Sequence, residues 1–429
     1  MLQNLINALV NMVDTVMIGR LGTVEIAAVG LGNEVFFLYN MFLFGICSGG
    51  SIFTAQFWGK QDIPGLRKNT GLCMILALGM GLLFTLAAAC FPEGVIGIYS
   101  RDPAVIAAGG AYLHSLSPAF FPFAVSFVFT SGLRSIERVR LPMVSTLIAL
   151  SLNISLNYLF IFGAGPVPAM GVVGAAYATV IARITETVIL VLVSYGRRYA
   201  LAGRFRELLG FDGAFVRRFL RIAAPVMANE ILWSIGITTQ SLIMARTGTG
   251  AAAAFNITHT VSNLTWVFFM GTGNAAGVLV GKKIGAGAEA EARDDAGRIT
   301  RFAFLAAIGA GLLLFPLSRA LPWLFKLTPE VLALSSLMLL MMGLCYPFNA
   351  FNMTMIVGVC RAGGDTVFCA LYDLLFLWGV SVPLSALAAF VFHAPVWVIF
   401  LCLSLENPLK MILGFWRLRS GKWLHNVVN

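Results

Sequence analysis

The sequence predicts an all-α polytopic membrane protein, with twelve transmembrane helices in two six-helix lobes related by a parallel pseudo-twofold repeat. Three observations predict it. Of the 429 residues, 59% are hydrophobic and only 11% charged, with mean hydropathy +0.87, too few charges to coat a water-soluble surface of this size. Apolar runs long enough to cross a bilayer recur from end to end. The second half also repeats the spacing of loop glycines, arginines and a proline found in the first.

The twelve apolar runs fall at about 1–18, 27–57, 70–91, 105–130, 143–163, 171–195, 218–245, 252–280, 300–325, 330–358, 367–392 and 395–416. The one long polar stretch, "YGRRYALAGRFRELLGFDGAFVRRFLR", separates the sixth run from the seventh. It divides the chain into an N-lobe at 1–195, a cytoplasmic linker at 196–217 and a C-lobe at 218–429. Most of the 29 Lys and Arg residues lie after even-numbered runs or at the C-terminus, so both termini are expected on the cytoplasmic side. Spread over many short loops, the net charge of +10 reads as membrane topology, and no nucleic-acid partner is expected.

The repeat appears at one ungapped offset of 226 residues, the distance from Arg20 to Arg246. In that register Gly22 meets Gly248, Gly45 meets Gly271, Arg67 meets Arg293, Pro103 meets Pro329 and Gly132 meets Gly358. Six crossings is an even number, so both halves enter from the same side and the repeat is parallel. Pro225 maps two positions before Met1, so the first helix is read as lacking its start, which should contain a proline.

Enzyme chemistry finds little support. There is no HExxH and no phosphate-binding Gly-x-x-x-x-Gly-Lys-Ser/Thr loop, so energy must come from an ion gradient or a partner. The seven cysteines are scattered through apolar segments and read as small core residues. No cofactor or structural metal is expected.

A few polar residues stand out against this background. Asp14 lies inside the first apolar run, where an ionised carboxylate costs roughly 2.5–3.5 kcal/mol on insertion scales. Asn153 and Asn157 sit four apart on one face of the fifth run, two amides that could hold a hard cation or form helix–helix hydrogen bonds. Glu230 is a second deep acid, following the helix-bending Pro225. Arg183 with Glu186, and Glu406 with Lys410, have helical spacings that suit mutual neutralisation, whereas Asp373 has no obvious partner. Phe36 and Tyr39 in "FFLYNMFLF", Trp266 in "LTWVFFM", and Trp233 could line a cleft for flat cations or simply face lipid.

The stretches "NLINALVNMVDTVMIGRLG", "AAVGLGNE", "SGLRSIERVRLPM", "LNISLNYLFIFGAG", "GVVGAAYAT", "GTGAAAAFNITHTVSNL", "LVGKKIGAG", "CRAGGDT" and "SGKWL", in this order, resemble the multidrug and toxic compound extrusion (MATE) family. The resemblance spans nearly the whole chain. It implies two lobes around a cleft and export of organic compounds driven by inward H⁺ or Na⁺. It implies cation coupling at Asp14, with Asn153 and Asn157 beside it and the Thr179 hydroxyl near that site. Some members carry a second acid where Asn157 stands, so the charge at the site differs here. For Glu230 it implies cation or cationic-substrate binding. Where such members place another acid on helix ten, this chain offers Asn349 and Asn352 as cleft-lining amides. The expected function is a monomeric antiporter in the inner membrane of a prokaryote, taking small amphipathic, cationic organic substrates from the cytoplasm and releasing them outside. The alternative is a flippase of lipid-linked sugars of the related polysaccharide-export type.

Overall fold

The computed structural model describes residues 17–163, 167–324 and 328–428. Apart from a helical turn at 17–19, the first apolar run, and Asp14 with it, lies outside the described residues. Eleven long helices follow: α1 (Thr23–Lys60), α2 (Ile63–Cys90), α3 (Pro103–Ser135), α4 (Arg140–Phe162), α5 (Gly171–Gly196), α6 (Gly213–Arg246), α7 (Thr249–Gly285), α8 (Glu289–Leu324), α9 (Pro329–Cys360), α10 (Thr366–Phe390) and α11 (Val396–Ser420). Ten are long and apolar enough to cross a membrane. The remaining helix, α7, covers the eighth apolar run, 252–280. Among the described residues there is no strand; Gly364 and Leu424 form an isolated bridge.

Helix ends follow local chemistry. Asp62 caps α2 by accepting the Gly65 N–H at 2.8 Å, with Pro64 in the first turn. Asp102 caps α3 through the Ala104 N–H at 2.9 Å, with Pro103 as the first helical residue. At the far end of α11, Gly421 takes the left-handed conformation (φ +67°) that ends a helix at least cost when no Cβ is present. A Cβ there would also run into the Arg293 guanidinium.

The chain forms two compact units. The first runs to Thr54 and then from Asp62 to Phe219; the second takes Ala55–Gln61 and everything from Leu220 onward. In the first, Ile18, Val29, Tyr112, Leu116, Ile161 and Val180 build one core. In the second, Ile243, Met338 and Phe400 build one cluster, and Val280, Phe351, Tyr372 and Trp423 another. Large apolar side chains also point outward, among them Leu83, Leu192, Leu312, Leu344 and Leu371. On a soluble protein such a surface would aggregate; in hydrocarbon it is the favoured exterior.

Candidate functional site

In the first unit, α4 and α5 meet along a polar seam. Asn157 Nδ2 donates to Asn153 Oδ1 at 3.3 Å, and Asn153 Nδ2 donates to Thr179 Oγ1 at 3.4 Å. The Thr179 hydroxyl passes its own proton to the Ala175 carbonyl at 3.0 Å. Both amides are buried, Asn157 to 2% exposure. Gly174 lets the helices approach this closely: a Cβ there would lie 2.5 Å from the Phe160 carbonyl oxygen.

Two turns away the same faces meet again. Thr146 donates to Glu186 Oε1 at 2.7 Å, and Arg183 pairs with Glu186 Oε2 at 3.0 Å. The Arg183 guanidinium also lies 4.8 Å from the centre of the Phe123 ring. The expected Arg183–Glu186 pair is therefore present, and Thr146 completes it. Thr146 and Asn153 are seven apart on α4, as are Thr179 and Glu186 on α5. That shared spacing was the available signal for a two-rung ladder.

The second unit holds a denser cluster. Glu230 on α6 is 2.5 Å from Arg361, at the end of the π-helical turn Thr354–Cys360 that finishes α9. Sequence reading groups Arg361 with the loop cations; it is buried, at 3% exposure, and neutralises Glu230. The π turn shifts the register by about one residue, which hydropathy does not register. Asp373 on α10, without an obvious partner in the sequence, is 2.8 Å from Lys410 and accepts the Asn229 amide at 3.3 Å. Lys410 in turn lies 3.3 Å from Glu406, so the expected helical pair becomes a three-membered bridge between α10 and α11. Three carboxylates thus face two cations in the apolar interior.

The remaining candidates are placed as follows. Trp233 and Trp266 stack at 6.4 Å between α6 and α7, a turn from Glu230. Phe36 packs on Phe120 and Phe123. Tyr39, expected as cleft lining, is instead fully enclosed, its hydroxyl donating to the Phe120 carbonyl at 2.8 Å. Asn352 is likewise enclosed, donating to the Asn407 carbonyl at 2.9 Å and accepting from Tyr372 at 2.8 Å. Asn349 is half-buried. Gln240, the repeat counterpart of Asp14, bonds Ser381 Oγ at 2.8 Å.

The family model MatE matches residues 1–159 and 225–391. The chain belongs to the MATE family. It is 25% identical, over 98% of its length and 90% of the relative's, to the probable multidrug resistance protein NorM of Thermotoga maritima. It is 26% identical to the protein of the same name from Rhizobium meliloti, over 90% of the chain and 83% of that protein. Crystal structures of MATE in the bent and straight conformations superpose with TM-scores of 0.87 and 0.85 at 18% identity, each covering 98% of this chain, and 93% and 94% of theirs. The fold is therefore the twelve-helix, two-lobe MATE architecture, and the chain is a multi-pass membrane transporter rather than an enzyme.

Proposed function

We propose that this MATE protein is a secondary active antiporter that exports amphipathic, cationic organic compounds in exchange for H⁺ or Na⁺. The observation that carries the reading is the buried seam Asn157–Asn153–Thr179 between two membrane-spanning helices. Amide and hydroxyl oxygens can coordinate a hard cation or sense the charge of a nearby carboxylate. Asp14, outside the described residues, is the carboxylate proposed to complete this site. Relatives that share the chain's whole length are named as multidrug resistance proteins, which supports the substrate class. The Trp233–Trp266 stack a turn from Glu230 supports that acid as a site for a cation or cationic substrate, which would take the place of Arg361. Bacterial relatives support an inner-membrane location, and the Lys/Arg distribution supports cytoplasmic termini.

The energetics suffice, since moving one charge through 100 mV provides about 2.3 kcal/mol. The test is dye efflux from proteoliposomes under pH and Na⁺ gradients imposed separately. One gradient should drive efflux, and Asn153→Ala/Asn157→Leu should abolish the gradient dependence while leaving dye binding in place. Full gradient-driven efflux by that variant would refute the coupling role.

A further inference from the structure

The first turns of α8 carry a groove that the transport reading does not use. It has a volume of about 390 Å³ and is lined by Ala290, Arg293, Asp294, Gly297, Arg298 and Arg301. The opposite face of the helix is buried through Ala292, Ala296, Thr300, Ala303 and Ala307. That stripe fixes the helix rotation, so Arg293, Gly297 and Arg301, four apart in turn, face outward. Gly297 provides the concavity: a Cβ placed there would meet nothing within 4 Å.

The lining of the groove itself is positive, three arginines against the single acid Asp294. Glu291 and Asp295 are both engaged by Lys283, at 3.1 and 2.7 Å. Asp294 pairs with Arg298 at 2.7 Å. Within the lining Arg293, beside Gly421, and Arg301 are then left over, while Glu289, also in the first turn, lies outside it. Directly below Arg301 the same side of the helix turns apolar and outward-facing, with Phe302 61%, Leu305 59% and Leu312 68% exposed. A basic concavity set on top of an exposed apolar stripe has the order of charge and grease of one molecule, an anionic phospholipid. Just across α11's end, Arg419 and Lys422 stand over the rings of Phe415 and Trp416, an arrangement suited to the same headgroup depth.

We propose that this groove binds the phosphodiester headgroup of an anionic phospholipid, with the acyl chains lying along Phe302, Leu305 and Leu312. Arg293 and Arg301 hold the phosphate oxygens, and the missing side chain at Gly297 makes room for the glycerol. The site is independent of what the protein transports.

Native mass spectrometry of the detergent-purified protein at low ionic strength tests this, with phosphatidylglycerol, phosphatidylcholine and inorganic phosphate as probes. Phosphatidylglycerol should bind at least about tenfold more tightly than phosphatidylcholine. Each of Arg293→Gln and Arg301→Gln should weaken it about fivefold. Gly297→Leu should weaken it as well, with every charge intact and with open space to receive the new side chain. Arg197→Gln, which makes the same charge change elsewhere, should not. Equal binding of the two lipids, unchanged affinity in Gly297→Leu, or inorganic phosphate binding as tightly as the lipid would each overturn the proposal.

Discussion

Glu230 and Arg361 show how much a single buried charge commits its neighbours. Each alone would be an uncompensated ion among apolar helices, and removing one partner of such a pair costs about 3–5 kcal/mol. Glu230→Gln and Arg361→Met should therefore each lower the unfolding midpoint of the detergent-solubilised protein sharply. The double substitution should recover most of the loss, because two neutral groups of similar volume no longer need each other. Additive losses in that cycle would show that the 2.5 Å contact does not couple the two residues. The acid was legible in the sequence and its partner was not. Glu230 interrupts an apolar run and is visible at once, but Arg361 opens a Gly-rich, loop-like stretch, and only the π turn ending at Cys360 brings it to Glu230. Asp373 and Lys410 were hidden for another reason: they are 37 residues apart on different helices, and no periodicity within one segment relates them.

At the scale of elements, the helices were legible wherever their residues dissolve in lipid and illegible where they continue into water. The apolar run at 300–325 begins well inside α8, whose first turns, "EAEARDDAGR", are helical yet too polar for a hydropathy window. In the same way α2 starts at Ile63, before its apolar run. Close helix contacts are set by glycines whose need only the packing reveals. Gly174→Val should force α4 from α5, costing about 1–3 kcal/mol by overpacking and weakening transport with it. Gly79→Ala on α2, where nothing stands in the way of a methyl group, should stabilise by about 0.5–1 kcal/mol. Thermal unfolding of both variants checks the contrast.

The short linker helix Phe205–Leu208 carries a pH dependence of its own. Glu207 accepts the Arg204 N–H at 2.6 Å and pairs with Arg67 at 3.0 Å, and together these hold its carboxyl below the ordinary glutamate range. A carboxyl lowered by folding stabilises the docked turn above that range, and the contribution is lost as pH falls through the lower folded value. Hydrogen-exchange protection at 205–208, corrected for intrinsic rates, should decline over that acidic interval and lose its pH dependence in Glu207→Gln.

Over the whole molecule, the last residues act as a fastening within the second unit. Trp423 is fully enclosed, and Gln56 takes the Val427 N–H on its oxygen at 2.8 Å while its amide reaches the Ala362 and His425 carbonyls at 2.8 and 3.1 Å. Lys60 reaches the Val428 carbonyl at 3.0 Å. Trp423→Ala should cost about 3–5 kcal/mol, the range for emptying a large buried aromatic, and unfolding in denaturant would measure it. The aromatic was visible in the sequence as part of "SGKWL", but Gln56, which holds the residues after it, was not, since nothing local connects a tail to a helix made near the other end. That separation has a consequence in time. Gln56 precedes Val427 by 371 residues, and at roughly 5–20 residues per second a ribosome needs on the order of tens of seconds to deliver the second after the first. Throughout that interval the end of α1 waits with its side-chain amide unclaimed by the tail, so this clasp is among the last bonds the growing protein can make.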